Sequence, residues 1–293
     1  MAEAYEVARD TWVIPQLVPA PPIGYVYFNS ALIKGAEPVV VDTGAPVHRD
    51  DFLATLASLV DLDDVRWIFL SHDDRDHAGN LVPLLQACPK ATLVTTWFAV
   101  ARMIEEWPIS LRRCRFVGEG TAFEAGGRAL VAVRPPFFDS PVTRGLFDPS
   151  TGFFWSVDCF ATSVPHAAND VAEVDRTSWE EGVRILNCVN HPWHQWLDEA
   201  KWARHVDAVE ALGVQVIGGC HTPSVTGPLV SKAFQLVRKV PAAACWEVPD
   251  QAVLEAWWEA GVDVVSGASV SPASTLPPAP GAPGGAEPLQ QAL

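Results

Sequence analysis

The sequence predicts an α/β protein in which helices pack against a sheet. Three observations carry that prediction. Apolar runs of strand length alternate with stretches at helical spacing through the first half of the chain. Three apolar runs lead into residues of metal-binding type: Leu70 into His72, Val157 into Asp158, and Gly218 into His221. An apolar share of 49% is ample for the core such a fold buries.

Residues 11–16 alternate weakly, 25–34 resume after the Pro-Pro pair at 21 and 22, and 39–42 form an apolar run ending in Thr43-Gly44. Strands at this spacing suggest hairpins at the edge of a mixed sheet. Phe52, Leu53, Leu56, Leu59 and Val60 recur at helical spacing and predict an amphipathic helix over 50–60. Trp67-Ile68-Phe69-Leu70 reads as a buried strand. Leu81, Leu84 and Leu85 predict a helix over 78–88, followed by a strand at 92–96 and a helix at 97–107. The second half opens with strands at 130–133 and 152–157, the latter entered through the turn-prone Asp148-Pro149-Ser150-Thr151-Gly152. Helices are expected at 177–188 and 195–212, a short strand at 214–218, and helices at 229–239 and 250–260. From 266 onward the chain is Pro, Ala, Gly and Ser with almost no charge. Such a composition cannot bury enough surface to offset its ordering entropy. The expectation is one domain over 1–265 and a disordered tail over 266–293.

The net charge of −15 argues against a nucleic-acid partner, because phosphate contacts need clustered Lys and Arg. It argues equally against an anionic membrane surface. The chain has no apolar run as long as the roughly 18 residues a membrane span requires. Its first residues, Met-Ala-Glu-Ala-Tyr-Glu, lack the basic and apolar regions of a secretory signal, so a cytoplasmic protein is expected. Six cysteines (Cys88, Cys114, Cys159, Cys188, Cys220 and Cys245) form no C-x-x-C pair and read as buried free thiols in a reducing compartment.

The richest stretch is Ser71 to Asn80, S-H-D-D-R-D-H-A-G-N, directly after the 67–70 strand. His72, Asp74, Asp76 and His77 are four ligand-type side chains within one turn. A strand that delivers imidazoles and carboxylates into a tight turn is a common start to a metal site. The bland alternative is an exposed acidic turn. Against it stand the other ligand-bearing strand ends, since sites in helix-flanked sheets gather where strand ends converge.

The pattern H-x-D-x-D-H after an apolar strand resembles the H-x-H-x-D-H signature of the metallo-β-lactamase superfamily. V-V-V-D-T-G, Val39 to Gly44, looks like that superfamily's strand and Asp-Gly turn, and Asp158 and His221 match its remaining ligand positions. These anchors cover roughly residues 10 to 225. The resemblance implies a four-layer αββα sandwich with two metals at the sheet edge. Asp74 stands where most members have histidine, which resembles the H-x-E-x-D-H version of flavodiiron proteins and oxygen-binding di-iron proteins. P-F-F-D-S-P, Pro136 to Pro141, looks like that group's H-W-P-D-S segment, and W-S-V-D-C-F, Trp155 to Phe160, is similar to its strand with the bridging Asp. A carboxylate in place of imidazole makes the site harder, which favours iron or manganese over zinc.

Carried over residue by residue, the resemblance implies that His72 and Asp74 bind one metal and that Asp76, His77 and His221 bind the second. Asp158 would bridge both, and Asp42 would orient a ligand histidine. One departure counts against a complete site: Pro136 occupies the position where the family has a histidine ligand. Three outcomes stay open for the first metal. Asp139 or water completes its ligands, or the position is weak or empty, or the Arg134 guanidinium puts a cation where the metal would sit.

Other residues carry less. His191 and His194, in N-H-P-W-H-Q-W, read as histidines capping a helix among packed tryptophans rather than as pocket lining; His48 and His166 read as solvated. Trp193, Trp196 and Trp202 read as packing. Neither a phosphate-loop glycine spacing nor a G-x-S-x-G elbow is present in the sequence.

Three functions follow, in descending order. The first is a non-haem di-metal protein, with iron preferred over zinc or manganese, that binds or reduces a small diatomic such as dioxygen. Little chain follows His221, so no flavodoxin-like domain is expected there, and reduction would need an external electron donor. The second is hydrolysis of an ester, thioester, amide or phosphoester by metal-bound hydroxide, with Asp76 assisting proton transfer. The third is a degenerate, non-catalytic scaffold. In the metal-dependent readings Asp76 and Asp158 carry the catalysis, and the resemblance suggests a homodimer.

Overall fold

The computed structural model describes residues 3–20, 24–247 and 249–259. The chain divides into two units, Met1–Trp246 and Glu247–Leu293. In the first unit the strands are β1 (Tyr5–Ala8), β2 (Thr11–Ile14), β3 (Leu17–Pro19), β4 (Tyr25–Tyr27), β5 (Ser30–Ile33), β6 (Val39–Val41), β7 (Trp67–Phe69), β8 (Thr92–Thr95), β9 (Cys114–Phe116), β10 (Ala122–Ala125), β11 (Arg128–Val133), β12 (Gly145–Asp148), β13 (Phe153–Trp155), β14 (Val216–Gly219) and β15 (Thr222–Thr226). Its α-helices are α1 (Arg49–Leu59), α2 (Arg75–Ala78), α3 (Leu81–Ala87), α4 (Trp97–Met103), α5 (Arg176–Asn190), α6 (Glu199–Glu210) and α7 (Leu229–Val237). The described part of the second unit holds α8 (Gln251–Glu259). The expected domain end at 265 and the tail over 266–293 lie outside the described residues. Among those described, no helix is long and apolar enough to cross a membrane.

The strands form a seven-stranded sheet ordered β1-β2-β5-β6-β7-β8-β9, a six-stranded sheet ordered β10-β11-β12-β13-β14-β15, and the small pair β3-β4. Alternation of side chains along each strand explains how the layers stack. Val39, Val41, Phe69 and Val94 of the first sheet share one apolar cluster with Leu130, Leu146, Phe153 and Trp155 of the second. That cluster is the sheet-on-sheet interface. The intervening residues Val40, Ile68 and Leu93 face the opposite way, against Phe52, Leu56, Leu81, Leu84 and Val100 of α1, α3 and α4. Phe147, Phe154 and Ile217 likewise turn away from the interface, onto Trp179, Val183, Val206 and Phe234 of α5, α6 and α7. The order of layers is therefore helix, sheet, sheet, helix, the αββα sandwich that the family resemblance implies.

β6, β7, β8 and β9 run parallel, as do β13 and β14. Parallel neighbours need crossovers, which α1, α2–α3 and α4 supply in the first sheet and α5–α6 in the second. The carboxyl ends of β6, β7, β13 and β14 deliver Asp42, His72, Asp158 and His221.

Several elements differ from expectation. The helix predicted over 78–88 is the shorter α3, Leu81–Ala87, and a separate turn, α2, precedes it over Arg75–Ala78. At the break between them, the Asn80 carboxamide donates to the carbonyls of Thr43 and Ala45 at 2.8 and 3.1 Å, and its backbone N–H goes to Thr43 Oγ1. These bonds tie the break to the loop beside the site. The run 25–34 is two strands, β4 and β5, in different sheets. β15 has no strand signature, because it carries Pro223; as the edge strand of its sheet it tolerates the missing N–H. The helix expected over 195–212 is a 3-10 turn at Pro192–Trp196 followed by α6.

Gly44 shows how tightly the site's frame is built. Its φ of +68° lies in the left-handed region, and a Cβ there would collide with the Gln16 carboxamide, whose oxygen accepts from Ala45 N. Gly44→Ala is expected to destabilise the chain by about 1–3 kcal/mol. Urea denaturation of the metal-free protein, with the slope unchanged, measures this.

Candidate metal centre

Asp42 sits where β6 ends, fully buried, with a φ of +54° that aims its carboxylate into the turn after β7. Four donors converge on it. Ser71 N–H reaches Oδ1 at 2.8 Å, while Ser71 Oγ, His77 Nδ1 and Trp155 Nε1 reach Oδ2 at 2.8, 2.9 and 2.8 Å. With its Nδ1 proton held by Asp42, His77 has Nε2 as the nitrogen that can give up its proton to a metal. His221 is fixed in the same way, by Nδ1 donating to the Tyr27 carbonyl at 2.6 Å. Tyr27 and Trp155 carry no sequence signal for this role, since one contributes only a backbone carbonyl and the other reads as core.

On the other side stands Asp158. The residue before it, Val157, has a φ of +62°, a strained conformation for a β-branched side chain. It persists because the Val157 carbonyl accepts from Cys220 N–H at 3.0 Å and the side chain is fully buried. The Asp158 carboxylate then divides its oxygens. Oδ2 faces His72 Nε2 at 3.5 Å, whereas Oδ1 lies 3.0 Å from both His77 Nε2 and His221 Nε2.

Around the Oδ2 side, His72 Nε2 is also 3.6 Å from Asp74 Oδ2 and 3.9 Å from Asp139 Oδ1. Around the Oδ1 side, Asp76 Oδ2 is 3.1 Å from His221 Nε2 and 3.8 Å from His77 Nε2. All six sequence-predicted residues, His72, Asp74, Asp76, His77, Asp158 and His221, are thus brought together. Cys220 joins the second group, with Asp76, His77 and His221.

The donors fit metal ions. His72 Nε2 is buried with no hydrogen-bond partner, a costly state for a polar atom unless something else satisfies it. The closer separations resemble the ligand–ligand edges of a cation with bonds of about 2.1 Å, which run to about 3.0–3.5 Å.

Electrostatics agree. Burial opposes charge on His72, as does His77, yet Asp158, Asp74 and Asp139 raise its pKa. Burial is likewise overcome at His77 and His221, whose pKa values stand well above the usual histidine range beside Cys220, Asp158 and Asp76. Asp158 and Asp76 are held far below the carboxylate range; burial works against this, but His77 and their other histidine neighbours prevail. Asp139 differs: burial, reinforced by Asp158, pushes it up to about 6.

The alternatives at Pro136 narrow. Arg134 is not a substitute cation, because its Nε pairs with Glu119 at 3.2 Å and its guanidinium lies over the Phe138 ring. The carbonyl of Pro136 accepts from Trp202 Nε1 at 2.9 Å, toward α6. Asp139, three residues on, is the side chain from this segment that reaches the His72–Asp74 group. His191 caps α5, its Nδ1 against the Asn187 carbonyl at 2.9 Å and its ring on Phe137 and Trp193, in keeping with a packing role. His166 is exposed, but His48 is half-buried rather than solvated.

A family model described as ODP family beta lactamase matches residues 26–221. The anaerobic nitric oxide reductase flavorubredoxin of Salmonella typhi is 28% identical over 153 residues, covering 51% of this chain and 32% of that protein. Among solved structures, the flavodiiron protein from Giardia intestinalis superposes with a TM-score of 0.71 at 16% identity, covering 82% of this chain and 60% of the other. Rubredoxin oxygen:oxidoreductase from Desulfovibrio gigas gives 0.73 at 15% identity, covering 88% and 70%. At these identities the two structures speak for the fold alone. The chain spans about a quarter to a third of the length of the first curated relatives it matches.

Proposed function

The chain belongs to the ODP family of β-lactamase-fold proteins, and from that premise we propose that it is a non-haem di-iron protein that binds or reduces a small diatomic such as dioxygen. The observation that carries the reading is the divided carboxylate of Asp158, with Oδ2 toward His72 and Oδ1 toward His77 and His221. His72, Asp74, Asp139 and Asp158 Oδ2 would hold one iron, and Asp76, His77, His221 and Asp158 Oδ1 the other. Four carboxylates make a hard, anionic donor set, which favours iron or manganese over zinc and counts against the hydrolase reading.

Bound iron would supply the redox chemistry and the coordination positions for the diatomic. The chain's own residues do the rest. Asp42 and the Tyr27 carbonyl hold the Nδ1 protons of His77 and His221, which keeps both Nε2 atoms aimed inward. Asp76 and Asp158 stay anionic beside the reacting position, and Asp76 is the more open of the two. Electrons come from an external donor protein, and nitric oxide is the alternative diatomic. A cytoplasmic homodimer completes the proposal.

Proton competition should set the pH dependence of loading. Ligation needs the carboxylate form of Asp139 and unprotonated Nε2 on each histidine. Asp139 is raised to about 6, so its proton must leave before it can ligate. Affinity at the His72–Asp74–Asp139 group is therefore expected to fall as pH drops, first as His72 with its raised pKa takes up a proton and further through about 6 as Asp139 does. Iron content after dialysis at a series of pH values reads this out.

The function is tested by metal analysis of protein purified without oxygen, followed by exposure to dioxygen and then nitric oxide. Two irons per chain and an optical change on exposure support the reading. Zinc at full occupancy with esterase activity overturns it, and an inability to hold any metal after reconstitution leaves only a non-catalytic scaffold.

A further inference from the structure

Deepening the di-metal reading and resting on it, we infer that the Cys220 thiolate is an additional donor to the metal held by Asp76, His77, His221 and Asp158. Each of Asp76, His77, Cys220 and His221 offers a donor atom, and these atoms all lie within 4.8 Å of one another. The cysteine is fully buried. It is also fixed from both sides of its backbone: its N–H donates to the Val157 carbonyl at 3.0 Å, and its carbonyl accepts from Asn29 N–H at 2.9 Å. Those two bonds tie it to the strained turn that presents Asp158. The thiol's own hydrogen-bond contact is a long one, 4.0 Å to the Asp76 carbonyl, over the turn that carries Asp76 and His77. A contact of that length holds a thiol only weakly.

Cys159 supplies the contrast. Both sulfurs lie in apolar clusters, Cys220 between the sheets and Cys159 under α5 and α7; Cys159 is equally buried and adjoins Asp158 in the chain, yet it belongs to no donor group among the described residues. Burial alone therefore does not bring a sulfur to this site. The position in the turn after β14 does.

On metal uptake the step would be exchange of the thiol proton for the metal, without redox change. The Sγ–H bond breaks, its proton leaves to solvent, and the sulfur lone pair forms the bond to the metal. Two inequivalent positions result. The His72 side combines one imidazole with hard carboxylates, while the His77–His221 side adds a soft, strongly donating thiolate to two imidazoles. A softer second position would hold its metal through conditions that strip the first.

Cobalt(II) titration of the metal-free full-length chain tests the inference, because a bound thiolate gives intense near-ultraviolet charge-transfer absorption that imidazole and carboxylate do not. The absorption should grow with one of two cobalt equivalents. It should vanish in Cys220→Ser and Cys220→Ala, persist in Cys159→Ser, and be accompanied in Cys220→Ser by an affinity loss of about 10-fold or more at one position. Uptake of two cobalt ions with no such absorption, or absorption that survives Cys220→Ala, overturns the thiolate ligand and leaves the di-metal reading standing. Failure to take up cobalt overturns both. If the Cys220 variants do not fold, a chain with the other five cysteines changed to Ser decides, retention of the absorption supporting the assignment and its loss overturning it.

Discussion

Asp158→Ala is expected to empty both metal positions at once. Each oxygen of this carboxylate faces a different histidine group, at 3.5 Å for His72 and 3.0 Å for His77 and His221. Among the described residues no other carboxylate spans the two groups in this way. Loss of an orienting partner alone typically weakens a metal about 10–100-fold, and loss of a direct ligand at each position should reach or exceed the upper end. The metal-free chain is affected as well, since three buried imidazoles lose the anion that stabilises their charged forms. Breaking a buried ion pair from one side costs about 3–5 kcal/mol. Asp139→Ala is the matched contrast: it removes a ligand from the His72 side only, so one metal should be lost and the other kept. Metal content by elemental analysis, with urea denaturation of both metal-free variants, separates the outcomes. Unchanged metal content in Asp158→Ala would show that the carboxylate does not bridge.

The α/β class was legible in apolar runs that alternate with helical spacings, whereas the four-layer order was legible only through the family resemblance. Val39, Val40 and Val41 read as one apolar run, and both faces are buried, one against the second sheet and the other against helices. The ligand turn was legible for a different reason: His72, Asp74, Asp76 and His77 are local in sequence, and Asp158 and His221 each follow an apolar strand. What stayed hidden depends on where backbone segments meet. Arg134 and Asp139 were equally available on paper, and the choice between them is made by Glu119 and Phe138, which draw the guanidinium aside. Cys220 read as one buried thiol among six, because nothing local reveals that its carbonyl and N–H are clamped by Asn29 and Val157. Asn80 gave no hint of separating α2 from α3, since its partners lie in the loop over residues 43–45.

Asp42→Asn is expected to weaken one metal and spare the other. Asparagine suits the backbone here, because Asn and Asp are the non-glycine residues that best tolerate a left-handed φ such as +54°. The substitution therefore tests the charge and acceptor capacity and not the turn. The native carboxylate accepts from Ser71 N–H on one oxygen and from Ser71 Oγ, His77 Nδ1 and Trp155 Nε1 on the other. An amide offers one acceptor oxygen and one NH2 group, so in either orientation at least one buried donor meets another donor. Leaving a buried donor unsatisfied costs about 1–3 kcal/mol. His77 also loses an anionic acceptor on Nδ1, which makes its Nε2 a poorer ligand, and affinity at the His77–His221 position should fall about 10–100-fold. The His72 side contacts this carboxylate only through Ser71, so its affinity should change little. Chelator competition on the loaded variant resolves the two positions. Equal loss at both would mean that Asp42 acts by holding the whole turn, whereas loss confined to one means that it acts through His77.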